Sequence, residues 1–207
     1  MNAVTSATPH LSAATASIIP TKLAHFVIRA KRFDEMLTWY RTVFHARTVL
    51  ANDMIAFLTY DDEHHRMAFL NAAHLPAPTG LQTGIDHIAF TYGSLSDLLH
   101  NYERLKKLGI TPFWCINHGP TTSMYYRDPD GNGIEHQVDN FATLKECSEF
   151  FEGPIFAANP IGVDYDPDVL LDQLRHGVPV SELIKLGAAA VAPHKQFDTS
   201  ALFPRPA

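Results

Sequence analysis

LAHFVIRAKRFDEMLTWYRTVF, residues 23–44, and IDHIAFTYGSLSDLLHNYERLK, residues 85–106, align without a gap, every pair 62 positions apart. His25 falls on His87, Leu37 on Leu99 and Tyr40 on Tyr102. Self-similarity at a fixed period of this size marks a supersecondary unit used twice. Each copy opens on a short segment of alternating character, LAHFVI or DHIAFTY, as a strand with one buried face requires. A helical pattern follows, with Phe33, Met36, Leu37, Tyr40 and Phe44 recurring at three and four positions in the first copy. Leu95, Leu98, Leu99, Tyr102 and Leu105 do the same in the second, which stops at Leu108-Gly109, where glycine takes the helix-ending conformation freely. Three strand-like segments come after each helix: ARTVLAN, MIAFLTYD and HRMAFLNA, then TPFWCIN, SMYYRD and IEHQVDN.

The expected fold is therefore α+β, two tandem βαβββ units at about residues 21–74 and 84–140 combined into a single module. LPAPTG, residues 75–80, reads as the linker between them. Residues 1–20, rich in Ala, Ser and Thr, read as a mobile arm with neither the basic start nor the apolar core of a signal peptide. From residue 141 to 207 the pattern changes to helical pieces, ATLKECSEFFEG and PDVLLDQLRHG, with no counterpart in the repeat. This extension is expected to serve as a lid or an oligomer contact, and the stretch after Val191 to be poorly ordered.

Composition narrows the function. A chain of 207 residues with 46% hydrophobic content can bury the core that an enzyme needs. The net charge of −6, with 16 Lys and Arg scattered singly, gives no basic field for nucleic acid. No segment approaches the roughly 18 apolar residues of a membrane span. Cys115 and Cys147 form no metal-binding or redox spacing, so reduced thiols in a soluble cytoplasmic protein are expected.

The chemistry-bearing residues lie on the repeat. A strand histidine by itself is more often packed or surface-exposed than a ligand, but His25 and His87 occupy equivalent places and would approach each other across a pseudo-twofold axis. Glu135 is the third candidate, since a carboxylate on an otherwise apolar strand is costly to bury unless paired or metal-bound. It follows the turn RDPDGNG and stands in YYRDPDGNGIE, residues 125–135.

Those residues resemble the vicinal oxygen chelate superfamily (glyoxalase, bleomycin resistance and extradiol dioxygenase proteins) from about Leu23 to Phe141, and within it the type I extradiol dioxygenases. The Asp-Pro-x-Gly-Asn turn is the most specific local signature, although metal-free members carry versions of it. The resemblance implies His25, His87 and Glu135 as metal ligands. Aligning HRMAFL with GIEHQV puts Met67 in the fourth symmetric position, where glyoxalase-type relatives hold another ligand. Two imidazoles and one carboxylate form the facial triad of non-haem Fe(II) oxygenases, with Mn(II) an alternative occupant.

EHHRMAF and NHGPTTSMYYRDPDGN extend the resemblance to His65, beside the dioxygen position, and to His118 and Tyr125, against the bound diol. The implied activity is ring opening of a catechol-type substrate with both atoms of dioxygen inserted. His65 would do acid–base work, and His118 and Tyr125 would orient the substrate oxygens. One departure is the interval from His118 to Tyr125, which is shorter than in the two-domain ring-cleaving enzymes. His64, on the opposite strand parity, is expected in solvent, with Tyr126 in the core and His136 facing away from the metal. Homo-oligomerisation is a family expectation. The rivals are a glyoxalase-like lyase or thiol transferase, which would need a fourth ligand or a thiol site, and a metal-free binding module.

Overall fold

The computed structural model of the chain describes residues 18–77, 79 and 83–200. The arm expected over residues 1–20 lies almost entirely outside the described residues, as do residues 201–207 and part of the 75–80 linker. Strand β1 (Phe26–Ala30), helix α1 (Phe33–Phe44) and strands β2 (Arg47–Ala51), β3 (Ile55–Thr59) and β4 (Met67–Asn71) make the first unit. Strand β5 (His87–Thr91), helix α2 (Leu95–Lys107) and strands β6 (Trp114–Asn117), β7 (Thr121–Arg127) and β8 (Gly133–Asp139) make the second.

In both units the first and last strands pair in parallel and the remainder antiparallel, giving sheet orders β1-β4-β3-β2 and β5-β8-β7-β6-β9. The helix crosses one face of its sheet and buries the stripe that its spacing predicts: Phe33, Met36, Leu37 and Tyr40 in α1, and Leu95, Leu98, Leu99, Tyr102 and Leu105 in α2. Both stripes enter one continuous core, with Met67, Phe69, Tyr126 and Ile134 from the sheets. Phe44, only partly buried, joins the two halves, packing on Phe90 of β5 and His136 of β8.

Polar contacts also join the halves. Helix α1 has no side-chain cap of its own at Arg32. Asp130, in the turn between β7 and β8 of the other unit, accepts hydrogen bonds from the Lys31 and Arg32 backbone N–H groups at 2.7 and 3.1 Å. The carboxylate thus satisfies orphan donors and complements the helix dipole. At the other end Arg104 of α2 donates to the Thr42 and Val43 carbonyls, each at 2.9 Å. Asp130→Ala is therefore expected to cost about 1 kcal/mol, read as a lower thermal midpoint with a native circular dichroism spectrum.

The register corrects one expectation. Phe26 pairs with Met67 and Ile88 with Ile134, and Phe26 and Ile88 are repeat mates 62 apart. Met67 is therefore the equivalent of Ile134 and lies fully buried in the core. Ala68, not Met67, stands opposite Glu135 in the symmetry. A slip of one residue turns every side chain of a strand to the other face, and two apolar strands gave no marker to prevent it. A methyl group fills the fourth position, so the absence of a ligand there holds with a different residue.

The extension adds α3 (Leu144–Phe151), α4 (Pro154–Ala158), β9 (Val163–Asp164), α5 (Pro167–Arg175) and α6 (Val180–Leu183). Strand β9 joins the free edge of β6, pairing Val163 with Asn117 and Asp164 with Ile116. Helix α5 lies along α2, where Tyr102 and Lys106 bond Asp168 and Arg175 pairs with Glu103. The expectation of little order after Val191 fails for residues 192–200. Phe197 stacks on Trp114 at 5.0 Å, and its N–H donates to Asp164, an aromatic anchor that periodicity cannot reveal.

Candidate metal centre

Register builds the site. On the sheet face away from α2, β5, β8, β7 and β6 align Ala89, Glu135, Tyr125 and Trp114 in one row. The corresponding row of the first sheet is Val27, Ala68, Phe57 and Leu50. The pseudo-symmetric halves have thus diverged: one row carries the polar chemistry and the other is an apolar wall.

Glu135 is 4% exposed, and His87 Nε2 lies 2.9 Å from its Oε2. His87 Nδ1 lies 2.7 Å from Asp86 Oδ2, so both ring nitrogens face carboxylates. The hydrogen bond to Glu135 outweighs partial burial, and with Asp86 it raises the His87 pKa to about 9. Burial works upward on Glu135, but hydrogen bonds from His87, Ser123 and Tyr125 leave its pKa lowered. The pair is imidazolium and carboxylate at neutral pH, a cation already seated on a buried anion. Asp86 escaped the sequence reading, although its place beside His87 suits the outer carboxylate that orients a ligating imidazole.

Tyr125 is 7% exposed, edge-on to the His87 ring at 5.1 Å, and its hydroxyl lies 3.0 Å from His118 Nε2. Burial and the Glu135 charge raise the Tyr125 pKa far above its ordinary value, so the phenol keeps its proton. His87, Glu135, Tyr125 and His118 therefore form one connected group on the second unit.

His25 and His65 form another. Their rings are 4.4 Å apart, and Phe57 stacks on His65 at 4.5 Å. Desolvation, then the neighbouring His25 and His64, lowers the His65 pKa. His64 is exposed, as strand parity predicts. His25 lines a cleft of about 280 Å³ together with Ile88, Ala89 and Phe90, the residues that follow His87 on β5. Among the described residues no group of three or more His, Cys, Asp or Glu side chains stands close enough to hold a metal ion. Two expected donors meet, and the third faces the adjoining cleft, its imidazole against His65. The protonated His87 and the ionised Glu135 serve as each other's counter-charge. The donor chemistry suits a divalent ion, which would replace that proton. Tyr126 and His136 are buried on the opposite face, where burial lowers the His136 pKa to about 3.

The sign of the metal-binding pH dependence follows. A raised His87 pKa means that the His87–Glu135 pair stabilises the metal-free fold fully below the ordinary histidine value and loses that contribution as pH rises through about 9. Metal must displace this proton. Apparent affinity is expected to rise about tenfold per pH unit between pH 6.5 and 8, with close to one proton released per ion, measurable by calorimetry in buffers of different ionisation enthalpy.

The glyoxalase/bleomycin resistance protein/dioxygenase superfamily matches residues 22–136, and the chain belongs to it. Among its relatives is biphenyl-2,3-diol 1,2-dioxygenase 2 of Rhodococcus globerulus, 44% identical over 168 residues, covering 78% of this chain and 86% of that protein. Biphenyl-2,3-diol 1,2-dioxygenase 3 of the same organism is 41% identical over 167 residues, covering 80% and 88%. Lactoylglutathione lyase from Agrobacterium tumefaciens is structurally similar over 57% of this chain and 94% of its own, with 21% identity and a TM-score of 0.46. Among the described residues no helix is long and apolar enough to cross a membrane.

Proposed function

We propose that this chain is an extradiol dioxygenase that opens catechol-type rings, inserting both atoms of dioxygen, at an Fe(II) centre held by His25, His87 and Glu135. Mn(II) suits the same donors. The observation that carries the reading is the second sheet's polar face, where a buried carboxylate paired with an imidazole stands beside a tyrosine hydrogen-bonded to a second histidine. The names of the two R. globerulus relatives point to the same substrate class.

When bound, the ion would hold the diol and dioxygen side by side and acidify the phenol. The residues around it do the rest. Tyr125 keeps its proton, so it donates a hydrogen bond to a substrate oxygen. His118 accepts one. His65, its pKa lowered by burial and then by the neighbouring His25 and His64, takes and returns a proton on the opposite side. Val27, Ala68, Phe57 and Leu50 supply the apolar wall for an aromatic ring. Val27 and Leu50 are about half exposed, which fits a substrate or a second copy of the chain covering them. We further place the protein in the cytoplasm as a homo-oligomer. Both of its cysteines are free thiols, as a reducing compartment favours.

The test is anaerobic loading with Fe(II), addition of a panel of catechols including 2,3-dihydroxybiphenyl, and admission of oxygen. The reading predicts oxygen uptake matched to substrate loss and the absorbance of a ring-opened semialdehyde or keto acid. Metal binding without uptake on any catechol would overturn it in favour of another superfamily chemistry.

A further inference from the structure

The extension beyond residue 140 bonds one of the site histidines through a backbone carbonyl. His118 Nδ1 is hydrogen-bonded to the carbonyl of Ile161. A carbonyl can only accept, so Nδ1 carries the hydrogen, and in the neutral ring Nε2 is then the acceptor. Tyr125, 3.0 Å from Nε2, can bond it only as the donor, with the one O–H that it alternatively offers to Glu135.

The segment presenting this carbonyl is held on every side. Asn159 Oδ1 accepts from the Ile161 and Gly162 N–H groups at 3.2 and 3.1 Å, and its Nδ2 donates to the Gly162 carbonyl at 2.6 Å. Gly162, at φ +117°, is pressed against the loop that carries His118, where a Cβ would meet the Asn117 carbonyl oxygen at 2.2 Å. Strand β9 begins at the next residue and pairs with β6. The Ile161 side chain packs on the cluster of Trp114, Ile116 and Tyr125. None of this turn lies in residues 22–136, the part matched by the superfamily.

We propose that the turn Asn159–Gly162 is a positioning element of the active site, fixing His118 as an Nδ1–H donor so that Nε2 is the atom that accepts a proton from the bound diol. The role of Nε2 rests on the function proposed above, whereas the tautomer does not. In the step, one phenolic O–H bond breaks and an Nε2–H bond forms. The resulting imidazolium keeps its Nδ1–H on the Ile161 carbonyl, and the proton returns to a product oxygen by the reverse path. The diol displaces Tyr125 from the Nε2 lone pair, and Tyr125 then turns its one O–H to a substrate oxygen.

Nitrogen-15 spectra of the histidine rings in the full chain, metal-free and loaded with diamagnetic Zn(II), read the tautomer directly, with His118→Gln assigning the signal. The wild type is expected to show a protonated Nδ1 and an unprotonated Nε2 at His118. Asn159→Ala and Gly162→Ala should give mixed tautomers. In the Fe(II)-loaded enzyme both should lower kcat on a catechol about tenfold or more, with KM moving less than about threefold. Leu144→Ala, on the exposed outer face of α3, should change neither. Should Gly162→Ala fail to fold, Asn159→Ala carries the comparison. An Nε2–H tautomer in the wild type, an unshifted tautomer in the folded turn variants, or a shifted tautomer with unchanged kcat would each overturn the proposal. A wild type with the stated tautomer that opens no catechol would instead overturn the proposed function and leave the tautomer assignment standing.

Discussion

Glu135→Gln is expected to abolish stoichiometric metal binding and, with it, ring-cleaving activity, while leaving the fold intact. Glutamine keeps the volume and an oxygen for Ser123 and Tyr125, so packing at this 4% exposed position survives. The charge does not. A divalent ion among two neutral imidazoles and an amide has no counter-anion in a dry site, where opposite charges attract far more strongly than in water. The loss of affinity should exceed the roughly tenfold to hundredfold that removal of an outer partner such as Asp86 causes. His87 gives a second readout. Its pKa stands near 9 first because of the hydrogen bond to Glu135, so in the metal-free variant the His87 titration should move down toward the ordinary histidine range. Metal retained at wild-type affinity, with His87 still titrating near 9, would show that Glu135 is not the anion of the site.

Gly133→Ala should damage the fold and the site together. Gly133 opens β8 directly opposite His87 in the parallel pair. A Cβ there would stand 2.5 Å from the Asp86 carbonyl and 2.9 Å from the His87 Cβ. The carbonyl is backbone within a strand and cannot move aside cheaply, so the two strands must separate where the metal donors meet. A loss of roughly 1–3 kcal/mol is expected, measured by denaturant titration, together with weakened metal binding. Asp130→Ala serves as the comparison, since it destabilises through the cap of α1 without touching His87. If Gly133→Ala lowered stability yet bound metal like wild type, the β5–β8 register would not be what positions His87.

These two variants sit on features that the sequence exposed unequally. The repeat marked both units and both helices because a buried helical stripe leaves a period of three and four, as Leu95, Leu98, Leu99, Tyr102 and Leu105 do. Glu135, His118 and Tyr125 were legible through the turn signature and its spacing. The Met67 register was not, because Met67 and Ala68 are both apolar and fit either face of a strand. Asp86 looked like an ordinary polar strand start, and only the 2.7 Å contact to His87 gives it a role. The Ile161 carbonyl had no signal at all: a backbone oxygen carries no residue identity, and its part depends on β9 adding to β6 from outside the repeat.

The placement of His25 marks the limit of what residue type and repeat register convey. Its equivalence to His87 is visible in the sequence, yet its ring rests on His65. Whether one centre draws on both halves of the module is the central claim, and anaerobic Fe(II) equilibrium dialysis of wild type and His25→Ala tests it most directly. The account predicts close to one tightly held Fe(II) per chain in the wild type and none at the same free-metal concentration in His25→Ala, with both proteins folded. Undiminished Fe(II) binding by His25→Ala would contradict it and confine the metal site to the second unit.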